Sequence, residues 1–321
     1  MTIKQIYNLA IEMGIKADLR GEKSVRSGLK KINEKYSQLS KERQKSFDKE
    51  KLMNPYSDTR ILAGDLNKEV KRIMAGIDIA TGELMVARYL NDQSDRKIDL
   101  VLAHHPSGPA LADLSDVMHL QAEVLSRYGV PINIAEAVMR PRISEVARGI
   151  LSINHNQPID AAKLLQLPLM CVHTPADNLA ASFLDKVIKK TKPETLREII
   201  KMLKSIPEYQ IAAKDKAGPK IFVGSPSASA GRIALTEITG GTEGAKEIYQ
   251  NMANVGIGTV IGMHMKEEHR AEAEKAHVNV IIAGHISSDS LGMNLFLDEL
   301  EKRGIEIIPC SGLIRVKRIK K

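Results

Sequence analysis

Apolar positions along the chain fall into two regimes. Up to about residue 54 they recur at helical spacing: Ile3, Ile6, Tyr7, Ala10, Ile11 and Met13, then Leu29, Ile32, Tyr36, Leu39 and Phe47 among many Lys, Glu and Ser. This predicts polar-faced helices, separate from the rest, with Gly14 as a first stop and Asn54-Pro55-Tyr56-Ser57 as the joint. Near residue 60 the pattern changes. Short continuous apolar runs at 72–78, 98–103, 167–172, 220–224, 232–236, 258–262, 278–284 and 305–309 read as buried strands. Between them lie helical patterns at 81–90, 178–204 and 291–302, and a further helix running from the glycine-rich turn 239–244 to Met252. Strand, helix and strand over 72–103 make a βαβ unit with a parallel pair. Residues 109–150 read as two helices, the second kinked or restarted by Pro141.

Composition changes this picture little. The chain has 321 residues, 43% hydrophobic and 27% charged, which is ordinary globular stock. No run approaches the ~18 apolar residues of a membrane span, and the first residues carry no apolar signal block. Two cysteines, Cys171 and Cys310, are too few for a disulfide framework, so a cytoplasmic protein with reduced thiols is expected. The net charge of +8 is peripheral: residues 1–60 hold 14 Lys and Arg against 8 Asp and Glu, and the last seven residues add five bases. Such an arm can bind nucleic acid. Aromatics are only 3% and Trp is absent, which argues against base-stacking platforms, and solvated helical faces are the better reading.

The chemistry sits where strands end. The run 98–103 delivers His104 and His105 before Pro106. The run 167–172 delivers His173 and, at a helix start that Thr174 can cap, Asp177. The run 278–284 delivers His285 and Asp289, which share one face if a helix begins there. In an open α/β sheet ligands sit beyond the strand C-termini. Imidazole and carboxylate together suit Zn, Fe, Mn, Co or Ni. Five such donors exceed what one open zinc site uses, and two bridged ions would employ them all. His264, also just past a strand, and His173 are candidates for proton transfer or for orienting ligands. Asp78 reads as a turn residue, although it follows a strand. The turn at 239–244 lacks the Lys and the spacing of a phosphate loop.

From about Asp58 onward the chain resembles the NGG-interacting factor three-like family, the GTP cyclohydrolase I type 2 homologues. The resemblance is carried by Thr59 to Asp65, HHP at 104–106, HTxxD at 173–177, TGG at 239–241 and GHxxxD at 284–289. It implies an α/β fold of two similar halves with mixed sheets, here about 58–205 and 206–321, with a helical insertion at about 109–150 and a basic helical extension at 1–57. It also implies a dinuclear metal centre held by His104, His105, Asp177, His285 and Asp289, and a toroidal homohexamer. The last ligand in the family is usually Glu, one methylene longer than Asp289.

The expected function is therefore metal-dependent hydrolysis of a nucleotide or other phosphorylated small molecule. A pair of divalent ions would lower the pKa of a bound water toward ~7. The alternative is a non-catalytic protein that binds metal or a partner.

Overall fold

The computed structural model describes residues 1–319; the last two lysines of the basic tail, 320 and 321, lie outside the described residues. The N-terminal segment forms α1 (Ile3–Ala17), α2 (Glu22–Ser37), α3 (Lys41–Ser46) and a 3-10 turn at Lys49–Leu52. Thr2 and Gln5 cap α1 reciprocally: the Thr2 hydroxyl accepts from Gln5 N, and the Gln5 side chain accepts from Thr2 N. The helix runs on past Gly14, the expected stop. Glycine serves close packing there, because a Cβ would come within 2.7 Å of Pro175 Cβ. Ile3, Ile6, Ala10, Ile11 and Ile15 are buried in the largest apolar cluster, so α1 is a wall of the core and not a detached arm. In α2 only Val25 is buried, which makes it the solvated face that its charges suggest.

Two sheets follow. β1 (Arg60–Ala63), β2 (Arg72–Gly76), β3 (Leu100–Ala103) and β4 (Leu169–Cys171) line up as β1-β4-β3-β2, with β2, β3 and β4 parallel and β1 an antiparallel edge. β5 (Lys220–Val223), β6 (Arg232–Glu237), β7 (Ile257–Gly262) and β8 (Asn279–Ile282) repeat this arrangement as β5-β8-β7-β6, again with one antiparallel edge. This repeat is the pair of similar halves with mixed sheets. The last strand, β9 (Glu306–Cys310), leaves the second half and pairs in parallel with β2 of the first. β1 has no counterpart in the apolar pattern, since it is short and opens on an arginine; pairing with β4 defines it.

Helix α4 (Thr81–Asp92) is the crossover between β2 and β3. Five helices connect β3 to β4: α5 (Gly108–Ala112), α6 (Leu114–Val117), α7 (His119–Arg127), α8 (Ile132–Leu151) and α9 (Gln157–Leu164). The helical insertion thus extends to Leu164. Pro141 lies inside α8 without restarting it; only Ala135 and Met139 of that helix are buried. The stretch expected as one helix over 178–204 is two, α10 (Thr174–Thr191) and α11 (Leu196–Lys204), parted by left-handed Lys192 (φ 46°) and Pro193. After α12 (Pro207–Lys214) come α13 (Ile248–Asn254), α14 (Glu267–Lys275) and α15 (His285–Glu301). α13 begins well after the glycine-rich turn. Gly240 and Gly241, at φ 99° and 88°, hold that segment in turns instead.

Helices α10 and α15 occupy matching places, each leaving the end of an inner parallel strand, and they pack against each other. Their backbones nearly touch: a Cβ at Gly292 would lie 2.1 Å from Ala176 O. The approach is possible because glycine offers no side chain at the crossing.

Candidate metal centre

The C-terminal ends of β3, β4 and β8 converge, and each brings the residues that the sequence placed there. His104 and His105 follow β3. His173 precedes the first residue of α10 and Asp177 lies in its first turn. α15 starts at His285, so His285 and Asp289 are one turn apart on one face. The two halves thus contribute matched His-x-x-x-Asp segments, 173–177 and 285–289.

Asp289 is the hub. Its Oδ1 lies 3.6 Å from His104 Nε2, and its Oδ2 lies 3.5 Å from both His105 Nε2 and His285 Nε2. Asp177 Oδ1 is 3.4 Å from His104 Nε2. Asp289 therefore reaches both sides of the cluster although it is one methylene shorter than the glutamate usual in the family it resembles. Three overlapping groups have donor atoms close enough to share an ion: His104, His105 and His173; His105, His285 and Asp289; and His104, Asp177 and Asp289.

The imidazoles are turned inward by partners on their outer edges. His104 Nδ1 lies 3.0 Å from Val172 O, which can only accept, so Nδ1 carries the proton and Nε2 presents a lone pair to the interior. His105 Nδ1 lies 2.6 Å from Asp78 Oδ1. His173 Nδ1 lies 2.8 Å from Asp58 Oδ2, which also accepts from Thr174 Oγ1 at 2.5 Å, and Thr59 Oγ1 accepts from His173 N at 3.0 Å. This is the outer support that metal-binding imidazoles ordinarily have. Thr174 spends its hydroxyl on Asp58, and no side chain caps α10.

Electrostatics make the same point. His104 Nε2, Asp177 Oδ1 and both carboxylate oxygens of Asp289 are buried with no hydrogen-bond partner among the described residues. All are acceptors, and acceptors facing acceptors out of water are costly without a cation or shared protons. Burial, with the nearby charges of Asp289 and Asp58, pushes Asp177 well above the usual carboxylate range. Burial would raise Asp289 too, but His104, His105 and His285 outweigh it and hold this carboxyl low. Burial lowers His104 and His285, which favours the neutral, metal-competent form. For His105, burial is outweighed by Asp289 and Asp78, and its pKa is pushed up to about 8. The donor set fits a metal ion.

His264 stands at the edge, its ring centroid 5.0 Å from that of His285, and burial lowers its pKa. The cavity beside the cluster is also walled by Glu237, Thr239, Gly241 and Glu243. The insertion holds this wall: Gln121 Nε2, on α7, donates to Gly240 O at 2.9 Å and Thr242 O at 2.5 Å. Asp58, Asp78, Glu237 and Glu243 are the site groups that sequence reasoning missed or set aside. Asp78, read as a turn residue, is in fact the partner of His105. The one available signal was the resemblance, which begins at Asp58.

No helix among the described residues is long and apolar enough to cross a membrane. No family model matches the chain, and no curated protein matches it. Among solved structures it is similar to a NIF3 superfamily protein from Sphaerobacter thermophilus, with 28% identity and a TM-score of 0.71 over 80% of this chain and 92% of that one. More distant similarities are reduced HcgD from Methanocaldococcus jannaschii (14% identity, TM-score 0.46, 78% of this chain and 87% of that one) and a Bacillus cereus protein related to NIF3 (11%, 0.40, 82% and 92%). The likeness to the Sphaerobacter protein over four fifths of the sequence, on a fold of two similar mixed halves, supports by fold the resemblance to the NIF3 superfamily, the NGG-interacting factor three-like proteins, that the motifs carry.

Proposed function

We propose that the chain is a metal-dependent hydrolase acting on a nucleotide or other phosphorylated small molecule. Two divalent transition metal ions (Zn, Fe, Mn, Co or Ni) would be held by His104, His105, Asp177, His285 and Asp289. The observation that carries this reading is the divided environment of Asp289: one oxygen faces His104 and the other faces His105 and His285, and neither has a hydrogen-bond partner among the described residues. Asp289, placed between these imidazoles, would serve both groups of ligands. A metal held by these residues would supply an acidified water and Lewis-acid activation of an electrophilic carbon or phosphorus.

The protein's own groups do the rest. Asp78 and Asp58 fix the imidazoles of His105 and His173 from outside. His173, with Nε2 4.0 Å from Asp177 Oδ2, and His264, at the cavity edge, are the groups placed to carry a proton to or from the substrate. A homohexamer in the cytoplasm is part of the same proposal, and light scattering of the full chain measures the assembly.

Elemental analysis of protein purified without added metal tests the reading. About two transition ions per chain, with both lost in the H104A/H105A double variant, are expected. Turnover of nucleotides or phosphoesters should disappear with them while the variant stays folded. A chain that holds metal but turns over nothing, and whose double variant loses assembly or stability, is a structural metal-binding protein instead.

A further inference from the structure

The cavity beside the ligand cluster has a volume of only about 30 Å³, roughly one water. It can take a reacting atom but not the body of a substrate. A second cleft adjoins it, sharing Met263, His264 and His285, and this one has a volume of about 300 Å³, at the lower end for small-molecule sites. Phe222, Met265, Ile282 and Lys220 complete its walls.

Two groups there have no partner among the described residues, and a third, beside the His285 ring, makes no hydrogen bond. Phe222 is 41% exposed with no aromatic neighbour, in a chain whose aromatics are only 3% of its residues. Lys220 makes no ion pair, and the His264 imidazole makes no hydrogen bond. The backbone explains the display. β5 is an edge strand with an irregular register between Ile221 and Val223, and it turns both Lys220 and Phe222 to solvent. Gly284, at φ 112°, adds no side chain to the mouth between β8 and His285.

We infer that this cleft is the substrate's ring site: a planar heteroaromatic ring stacks on Phe222, one anionic substituent meets Lys220, and the reacting atom reaches His264 and His285. The ring face is matched by the phenyl and by the sulfurs of Met263 and Met265, which make favourable contacts with aromatic rings. Lys220 is the one lysine or arginine in either lining, so one anionic group of the ligand is met there. A nucleoside monophosphate and a heteroaromatic carboxylate share this chemistry. The inference rests on the hydrolase reading for the reaction, but not for the binding.

The test is calorimetry on full-length, metal-reconstituted protein with guanosine 5′-monophosphate, nicotinate, ribose 5-phosphate and guanosine. At least one ring-bearing anion should bind tenfold or more tightly than ribose 5-phosphate. F222A should erase that advantage and leave ribose 5-phosphate unchanged. K220A should weaken the ring-bearing anion by about tenfold and leave guanosine unchanged. Both side chains are exposed, and thermal melting of each variant verifies folding. If neither ring-bearing anion exceeds ribose 5-phosphate, or F222A binds as the parent does, the ring site is overturned. Metal content of the same samples judges the other reading separately: protein without metal defeats the hydrolase while the F222A comparison still decides the ring site, and metal-loaded protein without ring preference defeats only the ring site.

Discussion

The carboxylate of Asp78 and the imidazole of His105 meet at 2.6 Å, on the edge of the ring facing away from the ligand cluster. Asp78 is itself exposed, so its removal leaves folding intact and acts through the orientation of His105. Outer partners of this kind are worth about 10–100-fold in metal affinity. D78A should lose affinity by that factor, read by competition with a chromophoric chelator. Parental affinity would show that His105 needs no outer support.

The crossing of α10 and α15 makes a second prediction. Gly292 lies against Ala176 O, next to the proposed ligand Asp177, and three residues after Asp289. G292A must push the helices apart, since the obstacle is backbone and cannot rotate away. Overpacking of this sort costs about 1–3 kcal/mol, and here it also spreads two carboxylates. Urea unfolding should show the loss of stability, and metal titration a loss of affinity. The same substitution at Gly28, in the interior of α2 with nothing within 4 Å, is the control: it should stabilise by about 0.5–1 kcal/mol and leave metal affinity unchanged.

Asp58 accepts from both His173 Nδ1 and Thr174 Oγ1 while fully buried. D58A leaves two buried donors without a partner, at about 1–3 kcal/mol each. D58N keeps an acceptor oxygen and should recover part of that loss. Denaturant midpoints of the two variants measure the difference, and equal midpoints would mean that the charge, not the hydrogen bonding, matters.

Glu237 gives a pH dependence away from the proposed ligands. Burial raises its pKa; the Gly244 N–H, His269 and Arg142 oppose this, and Glu243 adds to it. A carboxyl raised in the folded state contributes stability below its unfolded pKa of ~4.3, and that contribution is lost as pH rises through the folded value. E237Q stays neutral and can still accept from Gly244 N. Its stability relative to the parent should therefore improve from acidic to neutral pH, as measured by urea unfolding across that range. A gap that does not change with pH would refute the burial argument.

Much of this was legible in the residues. Most of the strands from β2 to β9 lie in apolar runs and the inner ones are buried, whereas the edge strand β5 turns Lys220 and Phe222 to solvent. The clustered histidines follow three of these runs directly, so strand-end logic brings them together. What escaped had other causes. α1 reads as part of a separate arm because the segment that follows it is richly charged, but its apolar stripe from Ile3 to Ile15 enters the core, and Gly14 packs on Pro175. β1 exists by pairing with β4, which lies more than a hundred residues away. Asp58 and His173 are similarly remote in sequence, and no local pattern announces a hydrogen bond across such a gap. Asp78 stood in view, but turn chemistry explained it equally well.

The return of β9 to the first sheet constrains how anything enters the molecule. α15 carries two of the six clustered residues, and it is moored at one end by β8 and at the other, through β9, by β2 of the first sheet. Swinging the halves apart would tear a parallel strand from its ladder, so this fold works as a riveted frame rather than a jaw, and traffic to the histidines must pass through a standing doorway.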